Sequence, residues 1–412
     1  MFIDTASPQR DRPTLRHYGL DWLRIGAFGL LIFYHIGMVF SPWRWVIKAP
    51  VLVDWLAIPM ALLTPWRLPL LFAVSGYASR RLYEKSRSGR AFLSSRNKRL
   101  LIPLAFGMVT VVPVELWIRV REGGYTAGLG HFWAVDYWRT GSYFGVDLPS
   151  WEHLWFIAYL WTYTAVLCGA LALAGPSASS RLSRLLERLD HRARLLWLPA
   201  AGLAFAKLGL MFIVPEQQGV TTDWGGHAAY LPTFLFGFAL GGTEALWPSL
   251  KRLFRPALIL ALASGVIVAS PDYHYAAKFT PPHALMALDR MARLTMAWSM
   301  TLALFHIAQT SWNRDHRWRA MLAEAVFPFY IIHHPIIVVT TWYLAAYRMP
   351  ESVEFMILVA TTITGCIAFY AGGSRIRALR PLIGLGPKRP APTAARDSAG
   401  SRERARRLPA RR

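Results

Sequence analysis

The chain has 412 residues, 54% of them hydrophobic and 14% aromatic, with 18 Trp and a formal net charge of +23. That composition excludes an ordinary soluble domain. The charge alone would suit a nucleic-acid binder. The Lys and Arg residues fall between apolar runs, however, which is the pattern of membrane orientation and not of nucleic-acid contact.

A hydrocarbon layer about 30 Å thick needs about 20 mostly apolar residues per crossing. Spans are predicted near residues 20–42, 52–79, 100–119, 153–174, 195–214, 227–243, 255–270, 285–309, 321–346 and 353–373, the sixth and seventh being short. The fold class is therefore all-α, a polytopic membrane protein of about ten helices. The first span carries Asp21, Arg24 and His35, and no small-residue cleavage site follows it, so it reads as an uncleaved helix. With the N-terminus placed inside, the inner segments hold 34 of the 46 Lys and Arg residues and the outer segments seven. Both termini are then cytoplasmic. Residues 1–19 form a basic N-terminal segment, 20–373 the membrane domain, and 374–412 a basic tail. The Pro, Ala, Arg and Ser of that tail predict disorder, with its charge lying against anionic lipid. Cys168 and Cys366 lie within apolar runs, so neither a disulfide framework nor a thiolate metal site is expected.

Ionisable groups inside spans are expensive and usually face a protein interior or a wet cavity. Asp21, Arg24 and His35 fall on one face of the first helix, Asp21 and Arg24 near its inner edge, where a structural ion pair explains them. Counting about 1.5 Å per residue from each inner edge, His35, Arg67, Glu115, Lys207 and the His333-His334 pair all reach about 18–22 Å. Five helices thus place polar groups in one layer of the outer half, as a chamber requires. Pro65 and Pro69 bracket Arg67 and predict a kinked or interrupted second helix. Ser75-Gly76 reads either as a close helix contact or as a ligand contact.

On the inner side, Arg96 and Arg99 stand three residues apart before Pro103. They suit a phosphate or pyrophosphate, or are ordinary inner-side charge. The Gly- and aromatic-rich loop 120–152 leads into His153 and Trp155 at the outer end of the fourth span. Trp155 is an interfacial anchor or a surface for stacking on sugar rings. Asp289 and Arg293, four apart, read as a structural pair. There is no Walker-type loop, no nucleophile elbow and no paired metal-ligand spacing on one helix. His333 and His334 diverge by about 100° on a helix, so no metal site is expected on both.

In this order the motifs resemble the acyltransferase-3 family of membrane acyl transferases, and within it the periplasmic-glucan succinyltransferase branch. Leu20-Asp-Trp-Leu-Arg24, ten further residues and His35 resemble its opening motif. Arg67-Leu-Pro-Leu-Leu-Phe-Ala-Val-Ser-Gly-Tyr77 resembles the second-helix motif, with Leu71 where the family often has Phe. Arg96-Asn-Lys-Arg99, His153-Leu-Trp-Phe156 and Tyr330-Ile-Ile-His-His-Pro335 resemble the remaining three. The similarity covers about residues 17–375, without the esterase-like domain that some members carry.

The resemblance implies a bacterial inner-membrane enzyme that moves an acyl group, succinyl or acetyl, from cytoplasmic acyl-coenzyme A to a hydroxyl of an outer glycan or related acceptor. Acyl-coenzyme A is a co-substrate, and no tightly bound cofactor is implied. His35 becomes the general base or an acyl-carrying nucleophile. Arg67, Lys207, His333 or His334 becomes the oxyanion partner. Arg24, Ser75, Gly76, Arg96 and Arg99 fall on the donor side, and Glu115, His153, Trp155, Lys207 and Tyr330 on the acceptor side. Asp21 stays structural. The competing function is a transporter of a glycan, lipid or acyl species. Transporters often show inverted repeats, and none is visible here.

Overall fold

The computed structural model describes residues 17–175, 177–211, 219–275 and 280–387. The basic N-terminus before residue 17 and the tail beyond 387 lie outside them. In chain order the helices are α1 (Tyr18–Phe40), α2 (Ala57–Lys85), α3 (Gly89–Thr110), α4 (Val112–Glu122), the single turn α5 (Leu129–His131), α6 (Trp155–Ala174), the short α7 (Ala178–Arg188), α8 (Arg194–Met211), α9 (Trp224–Leu240), α10 (Trp247–Tyr275), α11 (His283–Thr310), α12 (Arg319–Leu344) and α13 (Glu351–Arg375). Eight segments among them are long and apolar enough to cross a membrane, α3 and α4 counting as one. The two predicted spans outside that set are α9, which is 17 residues long, and α11, which carries Asp289, Arg290 and Arg293. The seventh span was expected to be short, but α10 runs for 29 residues. Its polar ends hid the length, because hydropathy falls before the helix does.

Helix α2 is the centre of the bundle and packs on α1, α9, α10 and α11. A kink or an interruption was expected at Pro65 and Pro69, and there is no interruption: the helix continues through both. Side chains bond carbonyls beside the prolines, Thr64 Oγ1 donating to Met60 at 2.7 Å and Trp66 Nε1 to Leu62 at 2.8 Å. The α2–α9 contact rests on two glycines. A Cβ at Gly76 would lie 2.0 Å from the carbonyl oxygen of Phe234, and one at Gly237 would lie 1.8 Å from that of Ala73. Only glycine lets the two backbones meet so closely. Gly76 is thereby used up in helix packing. Its expected donor contact gives way to the packing alternative, because the face a ligand would approach is filled by α9.

The packed domain also runs past its expected boundary at 373. Ile383 and Leu385 are buried, and Arg380 reaches back to Glu324 on α12 at 2.6 Å. The loop after α4 folds into α5, a wide turn at Phe132–Asp136 and a hairpin of β1 (Gly141–Tyr143) with β2 (Val146–Leu148), Gly141 opposite Leu148. Asp136 ties this loop together. It accepts from Tyr125 Oη at 2.6 Å and pairs with Arg139 at 2.9 Å and His131 at 3.4 Å.

Two predictions follow from this packing. Gly76→Ala and Gly237→Ala should each destabilise the bundle by about 1–3 kcal/mol, read as a lower melting temperature in detergent, whereas Gly26→Ala, with open space around it, should not. The hydrogen bond from Tyr125, helped by Arg139 and His131, holds the Asp136 carboxyl below the ordinary Asp range. Its stabilising tie is therefore complete above about pH 3.9 and is lost as pH falls through the lower folded value. Proteolysis of loop 123–151 should accelerate only in acid, and Asp136→Asn should be cut faster already at neutral pH.

Candidate active site

Four helices and one turn bring their polar groups together toward the end of the bundle expected to face outward. Helix α1 supplies His35, α2 supplies Arg67, α4 supplies Glu115, and α12 supplies Tyr330, His333 and His334. The turn before α6 adds His153. His35, Arg67, His153, Tyr330 and His334 border a cavity of about 310 Å³, with Trp45 and Trp155 also in its wall, and Glu115 and His333 lie behind them. His35 is half-buried. Arg67, Glu115, His153, His333 and His334 are buried.

Pro335 shapes one side of this group. It has no N–H, so the carbonyl of Ile331, four residues earlier, loses its helical donor. His153 Nε2 donates to that carbonyl at 2.9 Å, and Tyr330 Oη donates in turn to the His153 carbonyl. The other edge of His153 faces Glu115, Nδ1 lying 3.1 Å from Oε1. His334 Nδ1 meets the second carboxylate oxygen at 2.9 Å. Glu115 has no exposed surface and spans two imidazoles. A buried carboxylate needs such partners to remain charged.

On the α1 side, His35 Nδ1 lies 2.9 Å from His333 Nε2. The His333 Nδ1 edge lies 2.8 Å from the Tyr330 carbonyl and 3.1 Å from that of Phe329. Arg67 lays its guanidinium over the Tyr34 ring, 3.3 Å from the centroid. Arg67 Nε and Nη1 are buried without a hydrogen-bond partner among the described residues. A desolvated guanidinium with unused donors is a receptor for an oxygen-bearing anion or a developing oxyanion.

Glu115, His153 and His334 hold their donor atoms within 4.8 Å of one another, a set with the residue types and crowding of a metal site. No such set was expected, because its members come from three separate segments and no sequence spacing joins them. His333 is not part of it.

Lys207 shares the expected depth but not the chamber. It lines a second cavity of about 480 Å³ with Tyr230, Asp289, Arg290 and Arg293, while Thr64, Pro65 and Pro69 of α2 form part of its wall. The depth count gave height along the bundle and nothing about rotation around it. Asp289 and Arg293 pair as expected, at 2.7 Å.

The opposite end of the bundle, expected to face inward, has its own cluster. Asp21 pairs with Arg319 at 2.5 Å and more loosely with Arg24 at 3.7 Å. Arg24 donates to the Ala323 carbonyl at 3.1 Å and keeps a buried Nε without a hydrogen-bond partner among the described residues. Arg96 donates to Ser79 Oγ at 3.1 Å, and its Nε is likewise buried and unpartnered. Arg99 is exposed and within electrostatic reach of both. Arg96 and Arg99 differ in burial but bear on the same patch.

Sequence reasoning missed Tyr34, Trp45, Arg119 and Glu152. Trp45 stacks over His35 with centroids 6.2 Å apart, and Arg119 pairs with Glu152 at 2.6 Å in the cavity wall. Tyr34 and Trp45 look like interface aromatics in the sequence. The adjacency of Tyr34 to His35 was the only signal.

Apolar helices long enough to cross a membrane surround a half-buried histidine and an arginine with unused donors, the arrangement of a multi-pass membrane protein with a polar chamber. Residues 17–371 match the family model described as "Acyltransferase domain", and the chain belongs to this acyltransferase-3 family. It is a membrane acyltransferase. The chain is 24% identical over 350 residues to proteins called Glucans biosynthesis protein C from Salmonella agona (strain SL483) and Salmonella paratyphi A (strain ATCC 9150 / SARB42), covering 82% of this chain and 86% of each relative. No solved structure matches the chain.

Removing the Glu115 charge strands two buried imidazoles. Glu115→Gln should cost about 3–5 kcal/mol of stability, measured as a lower midpoint of unfolding in detergent, because a buried pair broken at one partner leaves the other uncompensated.

Proposed function

We propose that this acyltransferase moves a short acyl group, succinyl or acetyl, from acyl-coenzyme A on the cytoplasmic side to a hydroxyl of a glycan on the outer side of a bacterial inner membrane. The observation that carries the reading is the unpartnered Arg67 guanidinium beside His35 on one cavity in the outer half of the bundle. A hydroxyl entering that cavity meets a base, and the carbonyl it attacks meets a fixed positive charge. The names of the glucan-biosynthesis relatives support a glycan as acceptor.

His35 takes the proton from the acceptor hydroxyl as its oxygen attacks the thioester carbonyl. The C–O bond forms, and the oxyanion develops against Arg67. Collapse breaks the C–S bond, and the departing coenzyme A sulfur takes the proton back from His35. The buried, unpartnered nitrogens of Arg24 and Arg96 support an inner site for the donor's phosphates, with Arg99 at its rim. Trp155 and Trp45 offer ring faces to a sugar.

The test uses protein in nanodiscs with succinyl- or acetyl-coenzyme A and a periplasmic glucan, following free thiol release and the mass of the glucan. Wild-type protein should add the acyl mass. His35→Ala should lower turnover by about 10²–10⁴, and Arg67→Met by about 10²–10³, both with unchanged melting profiles. Full turnover in His35→Ala would remove the proposed base. Passage of glucan across vesicles without any acyl gain would remove the transfer itself and favour transport.

A further inference from the structure

A general base must present a lone pair to the hydroxyl, and a neutral imidazole has only one. Which nitrogen carries it depends on the hydrogen bond made by the other. For His35 that bond goes to His333, so the question passes to α12.

His333 is fully buried, and its Nδ1 edge faces two backbone carbonyls, those of Tyr330 at 2.8 Å and Phe329 at 3.1 Å. A carbonyl only accepts, so His333 Nδ1 carries a proton. Neutral His333 then has its lone pair on Nε2. That atom lies 2.9 Å from His35 Nδ1, with the two rings within 11° of parallel. The contact is a hydrogen bond only when His35 Nδ1 carries the proton. His35 Nε2 is left as the lone pair, and it has no hydrogen-bond partner among the described residues, on a side chain that borders the cavity.

We infer that His333 is a positioning residue, locking His35 in its Nδ1–H tautomer by a relay that starts at the Phe329 and Tyr330 carbonyls. The inference rests on His35 being the base. The relay does the orienting work that a carboxylate does in an Asp–His pair, without burying a second negative charge. When the acceptor proton arrives on His35 Nε2, the new positive charge is drawn along Nδ1–H toward His333 Nε2. The His333 Nδ1–H is already held by two carbonyl dipoles. No net proton leaves the relay. The proton on His35 Nε2 is the one returned to the sulfur of coenzyme A.

The arrangement also separates the adjacent histidines by role. His333 turns to α1 and the base, and His334 turns to α4 and Glu115. The divergence that argued against a shared metal site is what lets consecutive residues serve two different neighbours.

Two measurements test the relay, on full-length protein in nanodiscs. In the first, His333→Leu removes the acceptor while keeping bulk, and His333→Gln keeps an acceptor oxygen near the Nε2 position. His333→Leu should lower kcat by about 10²–10⁴ with the acceptor KM within about twofold. His333→Gln should keep at least about a tenth of wild-type kcat. Equal loss in both variants, or loss in neither, would overturn the relay.

The second measurement is independent of turnover. Nitrogen-15 resonances of His35, assigned by their loss in His35→Ala, should show a protonated Nδ1 and a bare Nε2 in wild type. In His333→Leu the proton should move to Nε2. A wild-type His35 protonated on Nε2 overturns the relay even if neither variant folds. If instead the tautomer is as inferred while His35→Ala keeps full turnover, the relay stands as structure and the base assignment fails.

Discussion

Hydrocarbon does not solvate charge, so every ionisable side chain inside this bundle must find its partner in the protein or open onto water. Glu115 meets that requirement with two imidazoles, and the arrangement propagates. His153 can turn toward Glu115 because Pro335 leaves the Ile331 carbonyl without a donor and so anchors the ring's other edge. His334 turns toward the same carboxylate. Its neighbour His333 points about 100° away around α12, and its Nε2 meets His35 of α1. A missing N–H and one buried carboxylate account for the orientation of three histidines.

Arg67, like Arg24 and Arg96 at the other end of the bundle, meets that requirement only in part. It sits in the same layer with an aromatic face beneath it and two donors unused. Leaving donors unsatisfied in a buried site is costly, and such costs concentrate where a protein binds or reacts. The continuous passage of α2 through Pro65 and Pro69 holds that guanidinium on a rigid element, which suits a group that must await a transient charge.

Much of this was legible in the sequence, for a physical reason. A charged residue within an apolar run is anomalous, so His35, Arg67, Glu115 and the His333-His334 pair announced themselves, and the helical rise gave them a common height. Rise says nothing about rotation around the bundle. Lys207 therefore shares the height and opens into a different cavity. Pairings between distant helices were also invisible. The Glu115 trio joins residues from three segments, and the Arg380–Glu324 contact adds residues whose composition read as disorder. Composition reports the average hydrophobicity of a stretch, and one arginine reaching one glutamate does not change it.

Arg24 and His35 occupy the same helix, eleven residues apart, a rise of about 16 Å. With the donor held at the proposed inner site, that interval would act as a ruler built into α1. A donor gripped by its phosphates at the lower mark can deliver a carbonyl to the upper mark only on a long, slender arm. A compact activated acyl group held at the same arginines would stop several helical turns short. On that proposal, donor choice would be set by length before any contact with the acyl group itself.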